Sequence, residues 1–404
     1  MMRRTLHCIV GLALALTLTG CVNHTVKSTS VPAIETASTA VPEGQLLDVG
    51  IAVFDPGLDD YDEGQQIYPE VRKAEARYMP NLLAEAMQNS GAWGAVRVMP
   101  GEASITDLVV EGTILASNGE ELQLMITATD STGRVWLNRK YTGNASRYAY
   151  NSTTRTVYDP FQAVYNTIAN DLLKQQEALA GQDREKIRTV TELLFAQDFS
   201  EEAFAGYLNK SRRGEYQIQR LPAEEDPMLE RVRSIRERDL VFIDTLQDYY
   251  GSFNGQMYGP YQEWRKLSYE ETIALQELRA ESTRRLIAGG IAVLAGVAAA
   301  GGGDSATRTA GNVAVIGGGY LLKSGLEKRA EAEIHVQALE ELGLSLEAEI
   351  TPSVIELEDR TVMLSGNVED QYDQWRELLA EIYRAEIGEL ALPEANQADN
   401  SSAQ

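Results

Sequence analysis

Apolar positions along this chain recur with two periods, and the switches between them mark its units. Asp48-Val49-Gly50-Ile51-Ala52-Val53-Phe54 has the pattern of a short buried strand, closed by Asp55-Pro56-Gly57. A helical stretch follows, with a break or new start expected at Pro80 and an apolar face of Leu82, Leu83, Ala86 and Met87. Val96–Met99 reads as a second short strand. A third, over residues 108–116, runs to Asn118-Gly119, a pair that tolerates positive φ at both positions and so predicts a hairpin. Leu122, Leu124, Ile126 and Ala128 alternate on the next strand, Asp130-Ser131-Thr132-Gly133 turns the chain again, and Val135, Leu137 and Tyr141 share a face on the last. Residues 46–150 are therefore expected to form a strand-helix-strand unit followed by an antiparallel meander.

The period then becomes helical. Asp159-Pro160 is expected to open a helix as N-cap and first residue, with Phe161, Val164, Tyr165, Ile168 and Leu172 on one face. Asp226-Pro227 opens another, whose apolar positions Leu229, Val232, Ile243, Leu246, Tyr250, Phe253, Met257, Tyr261 and Trp264 lie three, four or multiples apart. An interruption or kink is expected near Gly255 and Gly259-Pro260. The aromatic residues Tyr249, Tyr250, Phe253, Tyr258, Tyr261, Trp264 and Tyr269 suit either packing between helices or stacking on sugars. Residues 151–285 thus form a helical middle.

Residues 286–325 differ in kind. Residues 286–300 and 312–322 carry no charge, and Gly301-Gly302-Gly303-Asp304-Ser305 separates them. Gly289, Gly296 and Gly303 repeat every seven residues, as do Gly311, Gly318 and Gly325. Small residues on one face let helices approach closely. The segment resembles the glycine-zipper hairpins of envelope lipoproteins, which implies membrane insertion or tight oligomeric packing; a soluble helix pair or a linker is the plainer alternative. Arg284, Arg285, Lys323, Lys328 and Arg329 flank it.

In residues 326–390 a helix, strands over 353–357 and 361–368, and a helix with Trp375, Leu378, Leu379 and Ile382 inward make a small α/β unit, closed by a strand at Ile387-Gly388-Glu389-Leu390. The run Val362-Met363-Leu364-Ser365-Gly366-Asn367-Val368 resembles the BON domain, which implies binding to membranes or envelope partners. Residues 331–404 hold 18 acidic and three basic side chains, which opposes contact with anionic lipid. Residues 391–404 read as a disordered tail.

The first domain carries a further likeness. Its element order, with Asp107-Leu108-Val109-Val110-Glu111-Gly112 and Asp130-Ser131-Thr132-Gly133, resembles the amino-terminal domain of TolB-like proteins and the periplasmic domain of curli-secretion lipoproteins. That resemblance implies an assembly or interaction module.

At the amino terminus, Arg3, Arg4 and the apolar run over 9–18 have the pattern of a signal peptide, residues 1–20. Leu18-Thr19-Gly20-Cys21 resembles the bacterial lipobox, which implies acylation of Cys21 and a lipid anchor. Several acyl chains hold firmly, since each buried CH₂ contributes about 0.8 kcal/mol. Residues 21–45 are expected to be a flexible tether. Val22 in place of Asp points to the outer membrane, with the protein facing the periplasm.

Composition then narrows the chemistry. A formal charge of −24 speaks against nucleic acid. With Cys8 and His7 in the signal peptide, Cys21 acylated and His24 in the tether, only His335 remains, so His/Cys metal sites and Ser-His or Cys-His catalysis lack partners. No cofactor is expected. The sequence as a whole predicts an α+β, non-enzymatic, lipid-anchored envelope scaffold that contacts the membrane, envelope proteins or further copies of itself. An export-channel component, a peptidoglycan binder and a carboxylate-based hydrolase are its rivals.

Overall fold

The structure, a computed structural model, describes residues 24–27, 31–59, 67–101, 105–150, 158–223, 225–299, 334, 336–338, 340–341, 344, 353–357 and 361–391. Among these described residues helix makes up 53% and strand 20%, with a mixed sheet, so the chain is α+β at a coarse level.

In chain order the elements are β1 His24–Lys27, β2 Val49–Ala52, α1 Pro69–Gln88, β3 Val96–Met99, β4 Leu108–Ser117, β5 Glu121–Asp130, β6 Val135–Asn144, α2 Gln162–Glu177, α3 Gly181–Phe199 and α4 Glu201–Phe204. There follow β7 Leu208–Lys210, β8 Tyr216–Ile218, α5 Pro227–Ala299, β9 Ser353–Glu356, β10 Thr361–Leu364 and α6 Val368–Ala391. The main sheet has the order β1-β6-β5-β4-β2-β3. β2 runs parallel to both β3 and β4, and β4, β5 and β6 form the antiparallel meander.

The alternation in β5 sets one wall of the core: Leu122, Leu124, Ile126 and Ala128 are all fully buried. In β6 the alternation breaks. A bulge sets both Val135 and Trp136 against the register step at Ala128/Thr129, so Val135 turns outward and Trp136 inward, where its indole N–H donates to Asp130 Oδ2 at 2.7 Å. The expectation for Val135 is thereby corrected.

The turn at Asn118-Gly119 forms, but for another reason than the one expected. Gly119 is absent from the positive-φ glycines, and a Cβ there would stand 1.9 Å from the Arg265 carbonyl of α5. Its smallness serves close approach of the hairpin to a helix. Gly133, at φ 84°, is the left-handed turn residue.

α1 is one helix with Pro80 inside it, not two pieces. Proline removes the N–H that would bond the Ala76 carbonyl. The Phe54 N–H donates to that carbonyl instead, at 2.9 Å.

The domain expected over 46–150 does not end there. Phe161, Val164, Tyr165, Ile168, Leu172 and Ile187 belong to the same core as the sheet, so α2 and the start of α3 complete it. α1 lies between two cores: Met79, Leu83 and Met87 face the sheet, while Val71, Ala74 and Tyr78 face a second core built on α3, α5 and α6.

α5 is continuous through Gly255, Gly259 and Pro260, without the expected interruption, and its backbone stays helical past residue 286 to Ala299. An interior proline costs about 3 kcal/mol; burial of Met257, Tyr261 and Trp264 around it offsets that. Gln247 of α5 covers the sheet edge at β3. Its amide accepts from Val98 N–H and donates to Val98 C=O, both at 2.9 Å, as a neighbouring strand would.

The carboxy-terminal unit pairs β9 with β10 antiparallel, and its long helix lies against α5. β10 ends at Leu364 because Gly366, at φ 105°, turns the chain, and Asn367 and Asp370 exchange side-chain bonds to each other's N–H groups at the start of α6. The expected strand at residues 387–390 is instead the end of α6. Tyr372, Trp375, Leu379 and Tyr383, spaced three and four apart and all buried, carry the helical period through the segment before it.

The tether is also corrected. β1 pairs parallel with β6, and residues 31–38 are strapped to α2. Asn166 donates to Pro32 C=O at 2.8 Å; Asn170 donates to Ala33 C=O and accepts from Glu35 N–H, each at 2.9 Å. Ile34 and Ala37 pack on the sheet core. Replacing both Asn166 and Asn170 by Ala removes these bonds, each worth about 1 kcal/mol. Limited proteolysis is then expected to cut within 31–45 while the sheet core survives; equal resistance in the variant and the wild type would contradict the strap.

Candidate functional site

α5 meets the body along a seam set by its apolar positions. Leu246, Tyr250, Phe253, Met257, Tyr261 and Trp264 are buried there, so four of the seven aromatic residues noted in the sequence pack between elements and are closed to sugars. Tyr261 stands edge-on to Tyr78 of α1 at 5.2 Å and stacks near Trp264 at 5.8 Å.

Polar groups interrupt the seam at one level. Arg265 follows directly on the apolar stripe, has no exposed side-chain surface, and pairs with Asp159 through both guanidinium ends. Gln262 donates to the same carboxylate at 3.1 Å. Asp159 was expected to cap α2; the helix begins later, at Gln162, and Asp159 accepts from the Phe161 N–H while facing α5. The Arg265 guanidinium lies 4.2 Å from the Tyr261 ring centroid and 5.5 Å from that of Phe161. Burial by itself would lower its pKa; Asp159 outweighs burial and holds it well above the ordinary arginine range.

Behind this pair lies Glu75 of α1, fully buried. Its Oε1 accepts from Ser117 and from Tyr261, both at 2.6 Å, and Arg72 approaches Oε2 at 3.5 Å. Burial raises its pKa against the opposing pull of Arg72. A carboxylate, a serine and a tyrosine in contact invite a catalytic reading, but Glu75 has no exposed surface in the described structure. The cluster joins β4, α1 and α5, with Glu75 and Tyr261 fully buried.

A cleft opens beside it between α1 and α5, with a volume of about 600 Å³. Asp159 and Tyr78 form its floor, and Gly251, Gly255 and Tyr258 of α5 lie along one side.

Of the residues singled out in the sequence, Gly289 and Gly296 lie on the backbone of α5 near its end. Cys21, Gly303, Gly311, Gly318 and Gly325 lie outside the described residues, as does His335. Among the described residues no helix is long and apolar enough to cross a membrane. Sequence reasoning passed over Arg265 and Glu75, and read Asp159 only as a helix cap. The available signal was a charged residue directly abutting a long apolar helical stripe. Compared with protein families, with curated proteins and with solved structures, the chain matches none.

Removing one partner of a buried pair costs about 3–5 kcal/mol, because the other charge is left uncompensated. Arg265→Met is expected to lower the unfolding free energy by that order in urea titration, and adding Asp159→Leu to recover most of it. Additive losses would refute the pairing.

Burial pushes the hydroxyls of Tyr78, Tyr141, Tyr150, Tyr165, Tyr250 and Tyr261 above the ordinary value of 10.0. A raised folded-state pKa means stability fully present below the unfolded value and lost as pH climbs toward the folded one. The tyrosines therefore contribute no slope through neutral pH, and stability should fall steeply above about pH 10. Tyrosinate absorbance should rise together with unfolding; smooth titration of all tyrosines in the folded protein would contradict their burial.

Proposed function

We propose that the protein is a lipid-anchored, non-enzymatic scaffold of the bacterial cell envelope, held at the outer membrane through Cys21 and facing the periplasm. The observation that carries the scaffold reading is the clamping of α5. The helix is fastened to the body by the seam, by the Arg265–Asp159 pair and by Gln247, and its backbone then continues to Ala299. A helix of 73 residues is about 110 Å long at 1.5 Å per residue. It therefore carries Gly289 and Gly296 on the same rod that the body grips. The chain re-enters the described structure at residue 334, and the second glycine series lies between these points.

The remaining support comes from the sequence. The lipobox-like Leu18-Thr19-Gly20-Cys21 supplies the anchor, and the glycine-zipper resemblance supplies a surface for close helix packing, in a membrane or between subunits. The likeness of the first domain to TolB-type and curli-secretion modules, and of residues 353–368 to the BON strand, points to protein partners in the envelope.

Two measurements test this reading. Cys21→Ser should abolish acyl labelling and move the protein from the membrane fraction to the soluble periplasmic extract; labelling that persists with membrane retention refutes the anchor. In the non-acylated protein, Gly296→Leu should reduce the self-association constant or the liposome partition coefficient about tenfold or more, whereas Gly296→Ala, adding one methyl and about 1 kcal/mol of helix propensity, should not. If wild type, Gly296→Leu and a deletion of 286–325 behave alike, the glycine segment has no packing role.

A further inference from the structure

The cleft between α1 and α5 is walled on one side by bare helix backbone. Gly251, Gly255 and Gly259 follow one another every fourth residue along α5, on one face. Each glycine inside a helix costs about 1 kcal/mol relative to alanine. Packing among the described residues does not require them, because a Cβ built on any of the three meets no described atom within 4 Å. Gly112 and Gly119 contrast with them: a Cβ would strike the Phe54 ring at 2.6 Å in the first case and the Arg265 carbonyl at 1.9 Å in the second. α5 thus gives up helix propensity along a face that nothing in the described structure fills, and Gly251 and Gly255 line the cleft.

The same cleft holds hydrogen-bonding capacity that the fold leaves unused. Tyr78 is 2% exposed and lines the cleft, yet its hydroxyl has no partner among the described residues. Asn254 Oδ1 is enclosed without a partner. Asn81 and Gln162 each engage only the amide N–H₂ end, with Arg77 C=O and Asn166 Oδ1 respectively, which leaves their carbonyls to the cleft. The Glu85 carboxylate has neither an ion pair nor a hydrogen bond among the described residues, and its partial enclosure raises its pKa. Asp159, in contrast, is matched by Arg265 behind it.

These groups define a ligand chemistry. Among the described residues the lining contains no lysine or arginine, so a phosphate, sulfate or carboxylate ligand would face Glu85 without a compensating cation there. Phenol, amide and carboxylate together offer donors and acceptors in close mixture, which suits hydroxyl groups, since each hydroxyl both donates and accepts. Tyr158 and Tyr258 at the rim are 52% and 40% exposed and present aromatic faces. The bare backbone at Gly251 and Gly255 admits a ring close to the helix. A volume near 600 Å³ lies within the range of small-molecule sites. We propose that this cleft is a binding site for an uncharged, hydroxyl-rich ligand, a short glycan segment, seated against Gly251 and Gly255 and bonded by Tyr78, Asn254 and Glu85.

The test is calorimetric titration of the full mature chain carrying Cys21→Ser with chitotriose and with cellotriose, so the outcome does not depend on the anchor or on the glycine-zipper segment. Saturable binding of at least one sugar at a single site is expected. Gly255→Leu should weaken it tenfold or more by filling the cleft. Gly255→Ala should weaken it less while raising the melting temperature, because helix propensity improves where nothing else is touched; it keeps the test valid should the leucine variant fold poorly. Tyr78→Phe should cost about three- to tenfold, the range of one hydrogen bond, with unfolding unchanged. Absence of heat with both sugars, binding that ignores both Gly255 substitutions, or tighter binding of spermidine than of either sugar overturns the proposal, the last by assigning the cleft to an organic cation.

Discussion

A single buried charge pair organises this protein. Arg265 has no exposed side-chain surface, and it is neutralised by Asp159 at the entrance to α2, more than a hundred residues earlier. A guanidinium in that position is tolerable only with its carboxylate partner in place. Asp159 therefore fixes both the height and the rotation of α5 against the body. The neighbouring contacts depend on that placement: Tyr261 reaches Glu75, Gln262 reaches Asp159, and Gly119 lies under the backbone of α5. A slide of one helical turn would leave Arg265 and Asp159 unpaired and take Tyr261 away from Glu75 at once.

α1 transmits this constraint through the fold. One of its faces completes the sheet core and the other completes the core shared by α5 and α6, so the two halves of the molecule cannot be separated without exposing one of them. α6 adds to the grip at the other end of the seam. Trp375 stacks on Phe242 at 4.9 Å, and Glu386 meets Arg231 and Arg238, each at 3.3 Å. The last of these contacts are partly exposed and contribute little to stability. They match charge along two long helices and so favour one register.

Against this grip, the bare stretch of α5 at Gly251, Gly255 and Gly259 stands out as a local sacrifice. Natural sequences usually place good helix formers where no contact decides the residue. Here a helix held firmly on one face by aromatic packing carries glycine on another that is open to a polar cleft. A tertiary clamp of this strength tolerates the lost propensity. The same reasoning accounts for Pro260 within an unbroken helix.

Local pattern was enough to place most elements. The alternation in β5, the turn at Asp130–Gly133 and the Asp226-Pro227 start, where Asp226 accepts from the Met228 N–H at 2.9 Å, each depend on residues within a few positions of one another. What the sequence did not reveal depends on distant partners. Pro80 sits inside a helix because Phe54 supplies the missing bond, and the strap over 31–38 docks because Asn166 and Asn170 lie more than 130 residues away. Gly119 is small because α5 passes over it. The composition of residues 21–45 reads as solvated chain, and the backbone groups of Pro32, Ala33 and Glu35 find their partners only once α2 is beside them. The sequence by itself determined which faces are apolar, where turns and helix starts fall, and the lipobox-like cysteine from which anchoring is proposed. The tertiary structure decided which polar groups could be buried, since a buried charge or an unpaired backbone group is acceptable only when the fold brings its partner to it.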